Sequence, residues 1–368
     1  MEKNKLLIPT EIRTILNANL DNFSASLYVE ENPIDIDNFF EQKIRTDFSY
    51  YKYNFSHRRI IESKGVMLYT FNVEKIPANP DFEPLKGLFF LIKDSINKII
   101  FVISPENKKY LSRVVHSFME DYFYTKISRV YITSKEIFEI LEIIENKIKQ
   151  PILSNWCTGT RLFSEHPDKI IRWGDKLISF RECFDLAKKE KMSINWIRSE
   201  AYDDEGYQKI KLDISRDCNL VSNLKWINEI YEALNIIITK GKEDLNLLSN
   251  KEIKEDSPAR PILLSYPEKV LSNKELKEKF LETIDKYNRC NYSVIHGGNP
   301  HIYMYIKDSI DTSSFSLRSV GSNKILIIPQ LKSTYAALMR FIHFLNENFT
   351  EYNKLNEVIP PMESTQNG

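Results

Sequence analysis

The stretch SVIHGGNPHIYMYIKDSIDTSSF, from Ser293 to Phe315, gathers side chains that could do chemistry around one sharp turn. His296 and His301 flank a Gly-Gly-Asn-Pro sequence, and glycine and asparagine accept the left-handed backbone that a tight turn needs. Neutral imidazoles there could bind a divalent metal, with Asp308 or Asp311 as a third ligand. They could also hold a phosphate or act as general acid and base. These four residues form the candidate catalytic set.

A plainer structure is consistent with the same residues. The turn residues also suit an ordinary β-hairpin, whose histidines would lie at the surface while the aspartates occupy a second turn. Asn299 and Arg318 add polar groups nearby, but two histidines without a fixed third ligand do not define a metal site. Both interpretations stay open, because the strand register decides whether the histidines face one another.

A second candidate site lies between residues 43 and 59, where basic and aromatic side chains are interleaved. Basic groups meet phosphates and aromatic rings stack on bases, so this pattern is typical of a surface for a nucleic-acid strand. The alternative is an edge strand whose cations face solvent while its aromatic rings pack inward. The predicted nucleic-acid-binding residues are Lys43, Arg45, Tyr51, Lys52, Tyr53, Arg58 and Arg59.

Common catalytic motifs do not occur in the chain. The sequence contains no GxGxxG, GxxxxGK[ST], HExxH or GxSxG, which counts against a Rossmann enzyme, a P-loop NTPase, a zincin and an α/β-hydrolase. The four cysteines are widely spaced and form no CxxC pair, so we expect reduced thiols rather than a disulfide framework or structural zinc. We predict no cofactor, and a divalent metal only if the histidine turn is catalytic.

Bulk composition limits the classes of protein to consider. The formal net charge is zero, from 51 basic and 51 acidic residues among 368, so overall charge does not draw the chain to nucleic acid, although a local basic groove could. The N-terminus lacks a signal-peptide pattern, and the longest apolar runs fall far short of the roughly 20 residues of a membrane helix. We expect a cytoplasmic protein without membrane association, and richness in Ile, Lys and Asn suggests an AT-rich, prokaryotic genome.

Hydrophobic periodicity predicts short strands that alternate with amphipathic helices. We therefore expect an α+β fold, in which antiparallel sheets are each covered on one face by helices. Boundaries are predicted near Gln150 and Glu255. They separate an N-terminal α+β domain (residues 1–150), a middle α+β domain or insertion with a linker (151–255), and a C-terminal α+β domain with a disordered tail (256–368).

An internal repeat is a further expectation for the fold. The segments LFFLIKDSINKIIFVIS and IYMYIKDSIDTSSFSL both run from an apolar strand through the letters IKDSI toward another strand and a helix. A degenerate duplication would explain this likeness. The alternative is that strand, turn, strand and helix recur as a common local solution in α+β folds.

Three functions remain open from the sequence. The leading hypothesis is a module that binds nucleic acid, DNA or RNA, or a protein partner, without catalysis of its own. The second is a metal-dependent phosphodiesterase or nuclease built on the histidine turn, so whether the chain is an enzyme is undecided. The third is a structural subunit of a larger complex, since aromatic residues are abundant, with 19 Tyr and 21 Phe, and such residues are favoured at interfaces.

Overall fold

A computed structural model describes residues 9–19, 22–42, 51–123, 126–161, 168–172, 176–223, 227–248, 260–297, 301–330 and 333–358. The chain forms two compact units. Unit 1 comprises the described residues of Met1–Arg161 and Asp168–Glu243, and unit 2 those of Asp244–Gly368. The predicted α+β class with antiparallel sheets is confirmed. The division into three domains at residues 150 and 255 stays a prediction.

The elements of unit 1 begin with a helix and a long central strand. Up to the middle of the unit they are α1 (Thr10–Asn19), β1 (Asn22–Glu30), α2 (Ile36–Gln42), β2 (Tyr51–Ser63), β3 (Val66–Pro77), β4 (Leu85–Asp94), β5 (Ile99–Ser104), α3 (Lys108–Tyr110), a π-helical turn (Leu111–Val115), α4 (His116–Phe123) and β6 (Ile127–Arg129). The remainder are α5 (Ser134–Ile148), β7 (Leu153–Arg161), β8 (Asp168–Arg172), β9 (Ile178–Ser179), α6 (Phe180–Lys189), β10 (Met192–Tyr202), β11 (Gln208–Ser215), β12 (Leu220–Asn223) and α7 (Ile227–Leu248).

One antiparallel sheet, sheet A, organises unit 1. Its strand order is β2-β3-β4-β5-β1-β12-β11-β10-β7-β8, with β6 added to β1 and β9 to β7. Strand β1 is buried on both faces from Phe23 to Glu30, as expected for a central strand with helices on either side. Its Tyr28 face meets α4 through His116, while α7 approaches the opposite face, where Gly241 lies against Val29.

Unit 2 holds a second antiparallel sheet, sheet B. Its elements are β13 (Ile262–Ser265), α8 (Lys274–Asp285), β14 (Cys290–Gly297), β15 (Ile302–Asp308), β16 (Ser314–Val320), β17 (Lys324–Pro329), α9 (Tyr335–Asn348) and β18 (Lys354–Glu357). The strand order is β14-β15-β16-β17-β13-β18. Apolar residues alternate on the inner face, where Phe315 packs against Phe341 of α9, and Phe341 in turn contacts Tyr287 beyond α8. The two helices therefore cover one face of this sheet.

The same topology occurs in unit 2 and in the first half of unit 1. Each begins with a strand and a helix, continues with four strands in a meander, and ends with a helix and a short strand. The meander's last strand pairs with one side of the first strand, and the short strand pairs with the other side. Thus β1 to β6 correspond in order to β13 to β18. The two units therefore share a topology, and its origin in a duplication stays a prediction.

The two IKDSI segments do not lie at equivalent positions of that shared topology. The first forms the β4–β5 turn, whereas the second forms the β15–β16 turn, which corresponds to the connection between β3 and β4. Their likeness comes from the turn itself. In each, the aspartate accepts the backbone N–H three residues later, and the residue after that has positive φ, Lys98 in one turn and Thr312 in the other. An aspartate that caps its own turn is a common local solution.

Helix boundaries follow local capping chemistry, with two differences from expectation. Thr133 and Glu136 form a reciprocal capping box at the start of α5. The residues Ser104-Pro105-Glu106 predict a helix that starts after Ser104, but α3 begins at Lys108, because the Asn107 side chain caps it by accepting from Tyr110 N–H. Helix α7 continues into the charged stretch that we expected to be a linker. In the part of the chain that the structure describes, no helix is long and apolar enough to cross a membrane.

Candidate functional site

The histidine turn belongs to the hairpin of β14 and β15. His296 pairs with Tyr303 across the two strands, so their side chains share one face of sheet B. Strand β15 alternates strictly, with Tyr303, Tyr305 and Lys307 exposed and the intervening residues buried. His301 precedes β15, is exposed, and falls in the same alternation. Both histidines and the tyrosines therefore lie on the outer face of the sheet, opposite its two helices.

The two candidate aspartates lie on the other side of the sheet, in the interior. Asp308 and Asp311 are buried and form ion pairs with Arg340 of α9, at 3.0 and 3.1 Å from its Nη2. The Asp308 carboxylate also accepts the backbone N–H groups of Ile310 and Asp311. Burial alone would raise the pKa of Asp311, but hydrogen bonds from Thr334 and the charge of Arg340 hold it below its usual value. These carboxylates fasten a turn to α9.

The predicted catalytic set is therefore separated by the sheet. His296 and His301 come to the outer face, while Asp308 and Asp311 have their oxygen atoms engaged on the inner one. Within the described residues, no group of three or more His, Cys, Asp or Glu side chains is placed to hold a metal ion. The geometry does not favour a joint metal site, because His301 and Asp308 have opposite parity in the alternation of β15 and point to opposite faces; the catalytic role of the four residues stays a prediction.

The outer face of sheet B carries aromatic rings and cations on an apolar base, and we call it the tyrosine platform. The rings of Tyr303 and Tyr305 are each 37% exposed. Cross-strand pairing places the half-buried Leu326 and Leu263 in one row with Arg318 and Tyr303. The cations of the platform are Lys307, Arg318, Lys324 and Lys354.

The charge of the tyrosine platform has one sign. Among the described residues that the strand register places on this face, none is Asp or Glu. The chain as a whole has zero formal charge, so the acidic residues that balance these four cations lie elsewhere. A surface with one sign of charge attracts ligands of the opposite sign over about a Debye length, roughly 8–10 Å at physiological salt.

The basic-aromatic segment predicted to bind nucleic acid is strand β2, the edge of sheet A. Tyr51 and Tyr53 both donate their hydroxyls to Asp121 of α4, at 2.7 and 2.8 Å, and the Tyr53 ring packs edge-on against Phe118. Tyr53 is only 6% exposed, so its ring is core and cannot stack on a base here. Burial, followed by the nearby Asp121 carboxylate, raises the pKa of Tyr53.

The cations of β2 are divided between its two faces. Lys52 and Arg58 are exposed and alternate with the inward tyrosines, whereas Arg59 forms ion pairs with Asp37 and Glu62. Lys43 and Arg45 lie outside the described residues. Lys52 and Arg58 therefore lie on the same outer face of β2. Tyr51 and Tyr53, which were predicted to accompany them, point inward.

A buried polar network in unit 1 was not predicted from the sequence. Asp217 can only accept, so the Asn219 amide must donate to it, at 2.6 Å, and turn its oxygen toward His116. His116 then carries its proton on Nε2 and accepts from the Tyr28 hydroxyl at Nδ1, at 2.6 Å. Arg129 completes the network through Asp217. Partners about 90 to 100 residues apart, such as Tyr28 and His116, leave no local sequence signal.

This network joins elements and shows no reactive group poised for chemistry. Burial lowers the pKa of His116 to about 3, so the imidazole is neutral at physiological pH. Burial also raises the pKa of Tyr28, so its hydroxyl keeps its proton. His116 directly follows the π-helical turn, and its ring nitrogens are hydrogen-bonded to Tyr28 of β1 and to Asn219 in the β11–β12 turn. We interpret the network as a structural clamp across β1, α4 and that turn.

Comparison with known proteins gives no family for the chain: neither a protein-family model nor a curated protein matches it. Function must therefore be argued from the site alone. Among the described residues, the tyrosine platform and the outer row of β2 (Lys52 and Arg58) carry cations that a ligand could reach. The platform combines its cations with exposed tyrosines.

Proposed function

We propose that unit 2 binds single-stranded nucleic acid across the tyrosine platform, without catalysis of its own. The observation that carries the proposal is the pair of exposed tyrosine rings on a sheet face with four cations and no carboxylate among its described residues. Aromatic rings on a sheet surface stack on unpaired bases, and nearby cations contact the phosphates between them.

The spacing of the groups suits a single strand. Tyr303 and Tyr305 are two residues apart on one strand, which separates their Cα atoms by about 6.6–6.8 Å. Each ring has a cation beside it, since Arg318 pairs with Tyr303 across the sheet and Lys307 follows Tyr305 on the same face. A duplex keeps its bases stacked inside, so flat rings on a sheet favour unpaired bases. His296 and His301 would border the strand as hydrogen-bonding groups.

The proposal predicts how steeply the binding affinity falls with salt concentration. Each phosphate contact with a single strand contributes roughly −0.7 to the slope of log K, the logarithm of the binding constant, against log salt concentration. If the four cations of the platform each neutralise one phosphate, the expected slope is about −2.8. The zero net charge of the chain supplies no further attraction. Binding should therefore be moderate in strength and lost steeply with salt.

The experiment is fluorescence anisotropy with labelled single-stranded RNA, single-stranded DNA and duplex of equal length, over a salt series. Replacing Tyr303 and Tyr305 by alanine should weaken single-strand binding at least about 30-fold, because each of the two stacks contributes about 1–3 kcal/mol. Replacing both by phenylalanine should keep the affinity. Tyr207→Ala is the matched control, since that ring is 69% exposed on a turn of unit 1.

The outer row of β2 is tested in the same assay. Lys324→Gln with Lys354→Gln should flatten the salt slope by about 1.4, whereas Lys52→Gln with Arg58→Gln should leave it unchanged. The reverse result would transfer the proposal to the edge of sheet A. Full affinity in the double alanine variant, or preference for duplex, would reject the platform. On this proposal the protein works beside nucleic acid in a prokaryotic cytoplasm; a metal-dependent nuclease and a structural subunit remain the other predictions.

A further inference from the structure

Strand β14 differs from the other strands that end the two sheets. Strand orders end at β2 and β8 in sheet A and at β14 and β18 in sheet B. Strands β2 and β18 carry charged residues: Lys52, Arg58 and Arg59 in β2, and Lys354 in β18. Charges of this kind keep an edge from pairing with another chain.

Strand β14 has no such protection. Its sequence CNYSVIHG contains no Asp, Glu, Lys or Arg, and seven of its eight residues are exposed. Tyr292, Val294 and Ile295 are 38%, 43% and 59% exposed, a concentration of large apolar side chains on a single edge strand. No described strand pairs with the side of β14 that faces away from β15. An exposed, uncharged, apolar edge is a template for another strand.

From this edge we infer that β14 pairs antiparallel with β14 of a second copy of the chain, joining two B sheets into one. An uncharged strand offers no charge for a partner of opposite charge to recognise. It is, however, self-complementary about Ser293. A two-fold axis through Ser293 places Tyr292 of each copy opposite Val294 of the other, and all four side chains belong to the inner face. Aromatic and β-branched residues form favourable cross-strand pairs.

The charge of the tyrosine platform does not oppose this pairing. A two-fold axis perpendicular to the sheet keeps both platforms on the same side. Lys307 is the platform cation on the strand next to β14, and its counterpart lies three strand spacings away, about 14 Å. This distance exceeds the Debye length of roughly 8 Å at physiological salt, so the repulsion is screened. The pairing would double the length of the platform.

The test is sedimentation equilibrium of the full chain over a concentration series. The mass should rise from the 43.4 kDa of one chain toward twice that value. Val294→Lys should remain at the mass of one chain, since an inward charge blocks edge pairing. Val320→Lys is the matched control, because Val320 is 39% exposed on β16 and lies away from the edge; it should associate like the wild type.

A cross-linking variant separates loss of pairing from loss of folding. Ser293→Cys would place two thiols across the two-fold axis, where paired Cα atoms are about 4.5–5.5 Å apart, within the range of a disulfide. Mild oxidation should therefore yield a covalent dimer, and Lys324→Cys on β17 should not. A wild type that stays at one-chain mass, a dimeric Val294→Lys variant, or equal cross-linking of the two cysteine variants would each overturn the inference.

Discussion

Replacement of Arg340 by methionine tests the conclusion that Asp308 and Asp311 are structural. Arg340 is 16% exposed, and it makes three hydrogen bonds, of 3.0 to 3.2 Å, to carboxylates that are 2% and 1% exposed. Methionine keeps most of the side-chain volume but removes the charge, and two buried carboxylates then face one another without a cation. Breaking a buried pair in this way costs about 3–5 kcal/mol, a large share of the roughly 5–15 kcal/mol that stabilises a domain.

Urea unfolding can assign this loss to unit 2. All four tryptophans lie between Trp156 and Trp226 in the sequence of unit 1, so tryptophan fluorescence follows unit 1 while far-ultraviolet circular dichroism follows both units. For an m-value of about 2 kcal/mol/M, the expected loss moves the midpoint of unit 2 by roughly 1.5–2.5 M urea. The dichroism transition should split, and the fluorescence transition should stay in place.

Two further variants sharpen this prediction. Arg318→Met makes the same chemical change on the exposed outer face of sheet B and should shift the midpoint by little, because exposed cations contribute little to stability. Adding Asp308→Asn and Asp311→Asn to Arg340→Met should restore part of the lost stability, since these two positions then hold no unpaired buried charge. A midpoint shift below about 0.5 M for Arg340→Met would refute the buried clamp.

The pH dependence of the same clamp has a definite sign. The pKa of Asp311 is held below its usual value, so its stabilisation is present above the unfolded-state pKa near 3.9 and is lost as pH falls through the lower folded-state value. The difference between wild type and Arg340→Met should therefore shrink when the titration is carried into that acid range. A difference that grows at acid pH would contradict the assignment.

Three other predictions concern unit 1 and can be followed by tryptophan fluorescence. Tyr28→Phe removes the donor to His116 Nδ1 and should cost about 1–3 kcal/mol in urea unfolding; an unchanged midpoint would mean that the clamp contributes nothing. The pKa of His116 is lowered to about 3, so stability should fall as pH drops below about 6.5, and His116→Gln should flatten that part of the curve; an identical pH profile would count against it. Gly159→Ala places a Cβ 2.4 Å from the Ser193 carbonyl oxygen and should destabilise unit 1 by about 1–3 kcal/mol. Gly297→Ala in unit 2, with 4.0 Å to its nearest contact, should leave the circular dichroism transition in place; equal losses of stability in the two variants would refute the packing argument.

Local chemistry in the sequence was enough to predict many individual elements. The amphipathic pattern from Ser134 to Lys149 predicts one helix, and the structure has it as α5 (Ser134–Ile148), because a capping box and an apolar stripe both occur within sixteen residues. The residues Asp203-Asp204-Glu205-Gly206 predict a hairpin turn, and this turn forms: the Asp203 carboxylate accepts two backbone N–H groups and Gly206 has positive φ. These features depend on neighbours in the chain, so the sequence contains the information they need.

The positions of the predicted catalytic residues on the two faces of sheet B could not be predicted in the same way, because they depend on strand register. The sequence places His301 and Asp308 seven residues apart, and period-two alternation then puts them on opposite faces. Once β15 is accepted as regular, that parity alone argues against a joint metal site. Which face is covered is a tertiary fact, set by the packing of α9 through Phe341 and Arg340. The inward tyrosines of β2 follow the same logic, since α4 approaches from their side.

The shared topology of the two units shows why surface chemistry rather than fold points to function. In unit 1 the sheet continues beyond the central strand β1 with β12, β11, β10, β7 and β8, and β1 is buried on both faces. The corresponding sheet in unit 2 keeps one face with exposed rings and cations, and one edge without charge. The strand of unit 1 that corresponds to β14 is β2, which is also an edge strand but carries charged residues. The two proposals, for single-stranded nucleic acid and for a second copy of the chain, therefore both concern surfaces of unit 2.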